Sequence, residues 1–147
     1  MGVSIAARTA ARERVLQVLF GLLFTGNDWE AELEETFETD PADGEVKKYS
    51  RMLLSGIDEQ RDALKARIDA ALSGWTAERV GRIEMALLHL GAYEILYLPD
   101  VPDKAAINEV LELAKRYAPD GATSFLNGVL DRLMHERDTE PATGPAE

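Results

Sequence analysis

The stretch AAINEVLELAKRYAPDGATSFLNGVLDRL, Ala105–Leu133, decides the fold class of this chain. Apolar residues in its first half recur with the period of a helix face, at Ile107, Val110, Leu111, Ala114 and Tyr117. The Pro119–Gly121 segment then ends the pattern, because proline cannot continue a helix and glycine suits a turn. A second apolar face follows at Leu126, Val129, Leu130, Leu133 and Met134. The stretch therefore predicts two amphipathic helices that pack as a hairpin against an apolar neighbour.

The preceding part of the chain also has helical periodicity, without a strand pattern or an internal repeat. A first helix is predicted from about residue 4 to 25, and a short acidic helix follows, begun by a capping box at Asn27 and Glu30. Asp40 and Pro41 have the pattern of a helix cap followed by proline at the first helical position. A long helix is predicted from about residue 45 to 72, and Gly56 is its weak point because glycine is unfavourable inside a helix.

The central helix, predicted for 77–98 and capped by Thr76, is the most apolar. From Ile83 to Leu98 its only charged side chains are Glu84 and Glu94. A helix that is apolar nearly all round is buried by neighbours on several sides. The sequence therefore predicts an all-α fold, a compact helical bundle.

Composition excludes several classes of protein. The chain has no cysteine, which rules out disulfide frameworks and metal sites held by cysteine. Its net charge of −11 argues against nucleic-acid binding over the whole surface. Any such binding therefore has to use a local basic patch.

The N-terminal region imitates a signal peptide, because three arginines precede the apolar run Val15–Phe24. Glu13 and Gln17 interrupt the pattern, and Phe24 stands where a small residue would precede a cleavage site. The run is also too short to span a bilayer. We therefore expect an amphipathic helix of a cytoplasmic protein that has no membrane segment.

Arginines continue the apolar face of the first helix, since helical spacing puts Arg8 and Arg12 in line with Val15 and Leu19. Cations near a helix N-terminus are unfavourable by about 0.3–1 kcal/mol each. The guanidinium group binds phosphate oxygens in a bidentate geometry. We therefore interpret Arg8, Arg12 and Arg14 as a candidate RNA-binding patch that overhangs the core.

Enzymatic or metal chemistry finds little support in the sequence. It contains no cysteine nucleophile, no phosphate-cradling glycine loop and no HExxH spacing. The only histidines are His89, within the apolar central helix, and His135, beside the C-terminal tail. We expect no catalytic residue, no metal site and no cofactor.

Four segments together resemble the NusB family of bacterial transcription antitermination factors. They follow one another in the family's order: AARERVLQVLF at Ala10–Phe20, LHLGAYEIL at Leu88–Leu96, AAINEVLELAK at Ala105–Lys115 and FLNGVLD at Phe125–Asp131. The resemblance implies two packed helical subdomains, which we assign to residues 1–137. The acidic tail 138–147 has no apolar face and contains two prolines, so we predict that it is disordered.

The resemblance also implies roles for individual residues. Phe125 matches a family phenylalanine at the RNA surface, where it would stack on an unpaired base beside Asn127. Phe20 and Glu84 match positions where the family binds the ribosomal protein NusE. Gly128 lies away from the apolar face of its predicted helix, where glycine is a poor choice unless something packs close to it.

The expected function is that of a non-enzymatic antitermination factor. Such a protein would bind a boxA-type single-stranded leader RNA together with NusE, and it would help RNA polymerase to read through terminators in ribosomal RNA operons. One alternative is the RNA-binding domain of a ribosomal RNA methyltransferase. Another is a helical protein–protein adaptor without RNA binding. The sequence leaves open whether the protein is a monomer or a homodimer.

Overall fold

Seven α-helices make up the regular structure of the residues that the computed structural model describes, which are 2–25 (backbone alone at 23–25), 28–72, 74 and 79–140. In chain order they are α1 Ile5–Thr25, α2 Trp29–Thr39, α3 Gly44–Glu59, α4 Arg61–Ala71, α5 Arg82–Tyr97, α6 Asp103–Tyr117 and α7 Ala122–Thr139. The all-α prediction is confirmed. Among these helices, none combines the length and the apolar character needed to cross a membrane.

Helix α5 lies at the centre of the molecule and contacts α1, α3, α4, α6 and α7. Its side chains from Ala86 to Ile95 are buried, apart from a half-buried His89. The predicted burial of this helix on several sides is therefore confirmed. Helices α1–α3 form one helical subdomain and α4–α7 form the other. Helix α5 belongs to the second subdomain and joins the two, because it also packs against α1 and α3.

The predicted hairpin is formed by α6 and α7, which pack against each other and against α5. Gly121 lies in the turn with φ at +88°, a conformation that favours glycine because it has no Cβ. Ile107, Val110 and Ala114 of α6 are buried, and so are Leu126, Val129, Leu130 and Leu133 of α7. Tyr117 differs from the prediction, because its side chain is 47% exposed at the end of α6.

Helix starts differ from the predictions at three places. The N-cap of α2 is Asp28, whose carboxylate accepts a hydrogen bond from Glu30 N at 3.2 Å, while the predicted cap Asn27 lies outside the described residues. The cap of α3 is Asp43, which accepts from Val46 N at 3.0 Å, so the Asp40–Pro41 prediction is wrong. Helix α5 begins at Arg82 after a Gly81 N-cap; the predicted cap Thr76 and residues 77–78 lie outside the described residues.

The predicted long helix is two helices, since α3 ends at Glu59 and α4 begins at Arg61. The break comes at Gln60, although the sequence gives its only warning at Gly56. That glycine has a packing role: a Cβ on it would stand 1.9 Å from the Tyr93 hydroxyl oxygen. Any side chain at position 56 would collide with Tyr93 of α5, so glycine allows α3 to approach α5 closely at this point.

The end of α7 is anchored by Arg137. Its guanidinium donates to both carboxylate oxygens of Asp103, at 2.9 and 2.8 Å, and to Ile95 O at 3.0 Å. The bonds from Arg137 to the Asp103 carboxylate lower the pKa of Asp103. Because the anchor holds the last turn, α7 continues to Thr139, past the predicted domain boundary at residue 137. Residues 141–147 of the predicted tail lie outside the described part of the chain.

A buried ion pair joins the two subdomains. Arg12 of α1 donates from Nε to both carboxylate oxygens of Glu94 on α5, at 2.9 and 2.8 Å. The two side chains are 3% and 0% exposed. Tyr49 of α3 donates to the same carboxylate at 2.6 Å, and Glu109 of α6 lies 3.3 Å from Arg12 Nη1. Four helices thus meet at one charged cluster.

We expect Glu94→Gln to lower the free energy of unfolding by about 3–5 kcal/mol, because it leaves the buried Arg12 without its main counter-charge. Denaturant unfolding measures the loss. Asp69→Asn is the control, since it breaks an exposed pair with Lys65 at 2.9 Å and should cost less than about 1 kcal/mol. Equal losses for the two variants would show that the buried pair does not hold the subdomains together.

We expect Gly56→Ala to be destabilising by about 1–3 kcal/mol, even though alanine is the better helix former. The new Cβ would force the Tyr93 ring away from α3. Gly21→Ala in α1 is a matched control, because its Cβ would meet only Glu32 Oε1, at 3.7 Å, among the described atoms. A thermal scan in which both variants gain stability would contradict the proposed packing constraint.

Candidate functional site

The three N-terminal arginines do not form an exposed patch. Arg12 is buried in its ion pair with Glu94. Arg14 is 11% exposed; its Nη1 donates to Thr36 O at 3.1 Å, and its Nη2 lies 3.1 Å from Asp40 Oδ2. The interpretation that Arg12 overhangs the core is therefore wrong. Helical spacing identified the face of α1 correctly, but α2, α3 and α5 cover that face.

Arg8 is half-buried, and its guanidinium carbon lies 5.5 Å from the centre of the Tyr49 ring. Its Nε is buried without a hydrogen-bond partner in the described structure. Arg8 borders a small cavity of about 120 Å³ that also includes Asp100. Of the three arginines, Arg8 and Arg14 thus keep some access to solvent. Each has a carboxylate nearby, Asp100 at the Arg8 cavity and Asp40 beside Arg14.

Phe125 is half-buried near the start of α7 and lies between two depressions of the surface. The larger, which we call the α7 groove, has a volume of about 620 Å³. It is lined by Ala71, Leu72, Gly121, Ser124, Phe125, Gly128, Val129 and Arg132. The α7 groove thus combines an aromatic ring, a hydroxyl group and a guanidinium group on one wall.

The α7 groove differs in charge from the rest of the surface. None of its described lining residues carries a carboxylate. Four other depressions on the described surface each include at least one, from Asp58, Glu13, Asp100, or Glu84 together with Asp120. On a chain with net charge −11, the α7 groove is therefore, of these five depressions, the one whose described lining repels an anion least.

Asn127 is exposed but does not line the α7 groove. It is two residues from Phe125 on a helix, and such residues do not face the same way. The structure therefore does not bring Asn127 together with Phe125. It brings Arg132 there instead, two turns along α7. The i, i+7 spacing of Phe125 and Arg132 could have identified that residue from the sequence.

Glu84 lies in the second depression that Phe125 borders, which we call the α5 cleft, with a volume of about 230 Å³. Its lining residues are Arg79, Val80, Gly81, Glu84, Asp120, Gly121, Ala122 and Phe125. Glu84 is in the first turn of α5, and its carboxylate lies against Gly81: a Cβ there would be 2.2 Å from Oε1. A carboxylate in this position is stabilised by the helix dipole.

Phe20 borders a third depression, the α1 groove, of about 450 Å³. The lining residues of the α1 groove are Glu13, Leu16, Gln17, Phe20, Ile83, Tyr117 and Pro119. Phe20 is 37% exposed, so two aromatic side chains, its own and that of Tyr117, flank an apolar floor. Glu13 accepts hydrogen bonds from the Tyr117 hydroxyl and from Arg116 Nη2, the latter at 2.8 Å, and the bond to Glu13 raises the pKa of Tyr117.

The three depressions are neighbours, and we call them together the strip. The α1 groove and the α5 cleft have no lining residue in common, but Ile83 and Pro119 of the groove directly precede Glu84 and Asp120 of the cleft in the chain. The α5 cleft and the α7 groove share Gly121 and Phe125. Phe20, Glu84 and Phe125 therefore lie along one side of the molecule, whereas Arg12 and Asn127 do not belong to the strip.

Within the described residues, no group of histidine and carboxylate side chains is arranged to hold a metal ion. His89 is half-buried with Nδ1 at 2.9 Å from Met85 O, and burial lowers its pKa. His135 is exposed, with Nδ1 at 2.9 Å from Asp131 O.

Comparison with known proteins gives consistent results. The model of the NusB family matches residues 9–135. The transcription antitermination protein NusB of Myxococcus xanthus is 36% identical, over 88% of this chain and 95% of its own, and that of Desulfovibrio desulfuricans is 37% identical, over 87% and 84%.

Solved structures show the same relationship. T. maritima NusB is 33% identical and superimposes with a TM-score of 0.82, over 92% of this chain and 94% of its own. A chain in the crystal structure of the antitermination factors NusB and NusE with double-stranded RNA has a TM-score of 0.84, over 90% and 99%. Its 22% identity supports the fold alone. The family match, the relatives and the helical architecture together show that this chain belongs to the NusB family.

Proposed function

We propose that this protein is a transcription antitermination factor that binds boxA-type single-stranded RNA together with NusE. In this role it would act without catalysis in the cytoplasm, within an RNA polymerase complex that reads through terminators in ribosomal RNA operons. Membership of the NusB family supports the proposal. The observation that carries RNA binding is the α7 groove, where Phe125 and Arg132 border a depression without a described carboxylate.

Phe125 is suited to bind an unpaired base. Its ring is partly open to solvent at the border of two depressions, and an aromatic face can stack on any base without reading its sequence. Ser124 and Arg132 lie on the same wall and supply a hydroxyl donor and a cation for the ribose and phosphate groups. The α7 groove would therefore hold one splayed-out nucleotide, the common mode of single-stranded RNA recognition.

The α1 groove and the α5 cleft are suited to a protein partner. Phe20 and Tyr117 expose aromatic rings above an apolar floor, as protein interfaces often do. Glu13, Glu84 and Asp120 add negative charge along the same strip, which favours a basic partner such as NusE. NusE would then touch Phe20 and Glu84.

Because their sites are adjacent, RNA and NusE would bind cooperatively. The α5 cleft shares Gly121 and Phe125 with the α7 groove, so a bound protein would lie beside the RNA. A basic partner would offset the long-range repulsion between RNA and a chain of net charge −11. Each partner would also raise the effective concentration of the other. The alternative of an adaptor without RNA binding predicts protein binding at the same strip and no effect on RNA.

We expect Phe125→Ala to weaken RNA binding by about 1–3 kcal/mol, because it removes a stacking surface. The stability loss should stay below the roughly 3–5 kcal/mol typical of a fully buried phenylalanine, since Phe125 is only half-buried. Leu126→Ala is the comparison, as Leu126 is completely buried beside it: it should lose stability and keep its RNA affinity while folded. Unchanged RNA affinity for Phe125→Ala would contradict the stacking role.

We expect saturating NusE to tighten RNA binding at least tenfold, about 1.4 kcal/mol of coupling. Fluorescence titration of boxA RNA with and without NusE measures the shift. Glu84→Gln should weaken NusE binding without placing a cation at the start of α5, whereas Asp62→Asn makes the same charge change in the first turn of α4 and should not. If the RNA titration curves measured with and without NusE superimpose, the protein is not a cooperative adaptor.

A further inference from the structure

Gly128 is an interior residue of α7 whose presence the fold does not explain. It has helical backbone geometry, so it needs none of the conformational freedom that Gly121 uses. Among the described atoms, a Cβ at Gly128 would meet nothing within 4 Å, whereas a Cβ at Gly91 would press on Val110 and Leu130 at 3.0–3.1 Å. Alanine at position 128 would therefore fit the described structure and favour the helix.

The position of Gly128 suggests what the glycine is for. It lies on the wall of the α7 groove, with Ser124 one turn before it and Arg132 one turn after it, and Phe125 beside it. A missing side chain at this point exposes the helix backbone at the middle of the groove. Glycine at an exposed helix position is favoured where another backbone has to approach closely.

We infer that the sugar–phosphate backbone of bound single-stranded RNA lies directly against α7 at Gly128. The inference rests on the proposed function. Phe125 stacks on the base, and Arg132 donates to a phosphate oxygen on the other side of the glycine. Gly128 is thus a positioning residue, because it sets how close the nucleotide comes to both side chains.

Charge favours RNA over a protein as the occupant. Arg132 is the one charged side chain among the described lining residues of the α7 groove. Its Nε pairs with Glu136 at 3.1 Å, but both side chains are exposed. An exposed pair one turn apart contributes little to stability, so the guanidinium can exchange that carboxylate for a phosphate. An acidic groove would have favoured a basic protein segment instead.

The test compares two identical changes at different glycines. Among the described atoms, a methyl group at Gly128 meets nothing within 4 Å, and one at Gly21 meets only Glu32 Oε1, at 3.7 Å. Neither change is crowded, so Gly128→Ala and Gly21→Ala should both raise the melting temperature by a few degrees. Only Gly128→Ala should weaken binding of boxA RNA in the absence of NusE, by roughly fivefold or more. Greater stability with lower affinity separates this role from a structural one.

A second pair of variants tests Arg132. Arg132→Gln should reduce the slope of log affinity against log salt by about 0.7, the value for one contact to a single strand. Glu136→Gln should leave that slope unchanged and strengthen binding, since it frees the guanidinium. Unchanged affinity and slope for Arg132→Gln would overturn its assignment to a phosphate.

The possible results distinguish this inference from the proposed function. If the unmutated protein binds boxA RNA and Gly128→Ala binds it equally well, the inference is wrong and RNA binding stands. If Gly128→Ala weakens only NusE binding or self-association, measured by light scattering, the α7 groove takes a protein and the inference is overturned. If the unmutated protein binds no RNA even with saturating NusE, the proposed function fails as well.

Discussion

The bond between Arg12 and Glu94 is the constraint on which the arrangement of the helices depends. Its two charges are out of contact with water, so each needs the other in place. Tyr49 and Glu109 bring α3 and α6 to the same point. A small displacement of α1 along α5 would separate the charges, whereas an apolar interface tolerates sliding more easily. The pair therefore determines the register of the N-terminal subdomain on the central helix.

That register has a consequence for the surface. Because α1 is held in place against α5, Phe20 on α1 comes beside Ile83 at the start of α5 and Pro119 in the α6–α7 turn. The strip from the α1 groove to the α7 groove thus combines residues from distant parts of the chain. Its electrostatic character changes along its length, from carboxylates beside Phe20 and Glu84 to the guanidinium of Arg132.

Much of the fold could be predicted from periodicity. The α6–α7 hairpin and the buried α5 followed from the spacing and the scarcity of charge. The role of Arg12 could not, because helical spacing shows which face a residue is on and not what covers that face. Two charged residues in apolar surroundings did indicate a buried ion pair: Arg12 in line with the apolar face of α1, and Glu94 on the apolar α5. Pairing them would have required knowing that α1 lies on α5.

The candidate site was predictable to a smaller extent. The family resemblance led to Phe20, Glu84 and Phe125, and the structure places all three along one strip. It did not lead to Arg132, and it grouped Asn127 with Phe125 because they are neighbours in the motif. On a helix, residues two apart diverge and residues seven apart coincide. A motif written as consecutive letters therefore obscures which side chains share a surface.

The distance in sequence between Arg12 and Glu94, 82 residues, also matters while the protein is being made. At about 5–20 residues per second, the ribosome adds Glu94 roughly 4–16 s after Arg12. During that interval α1, α2 and α3 exist without the helix that neutralises their buried cation. The N-terminal subdomain therefore cannot complete its packing as it emerges. The burial of Arg12 on α1 has to follow the synthesis of α5.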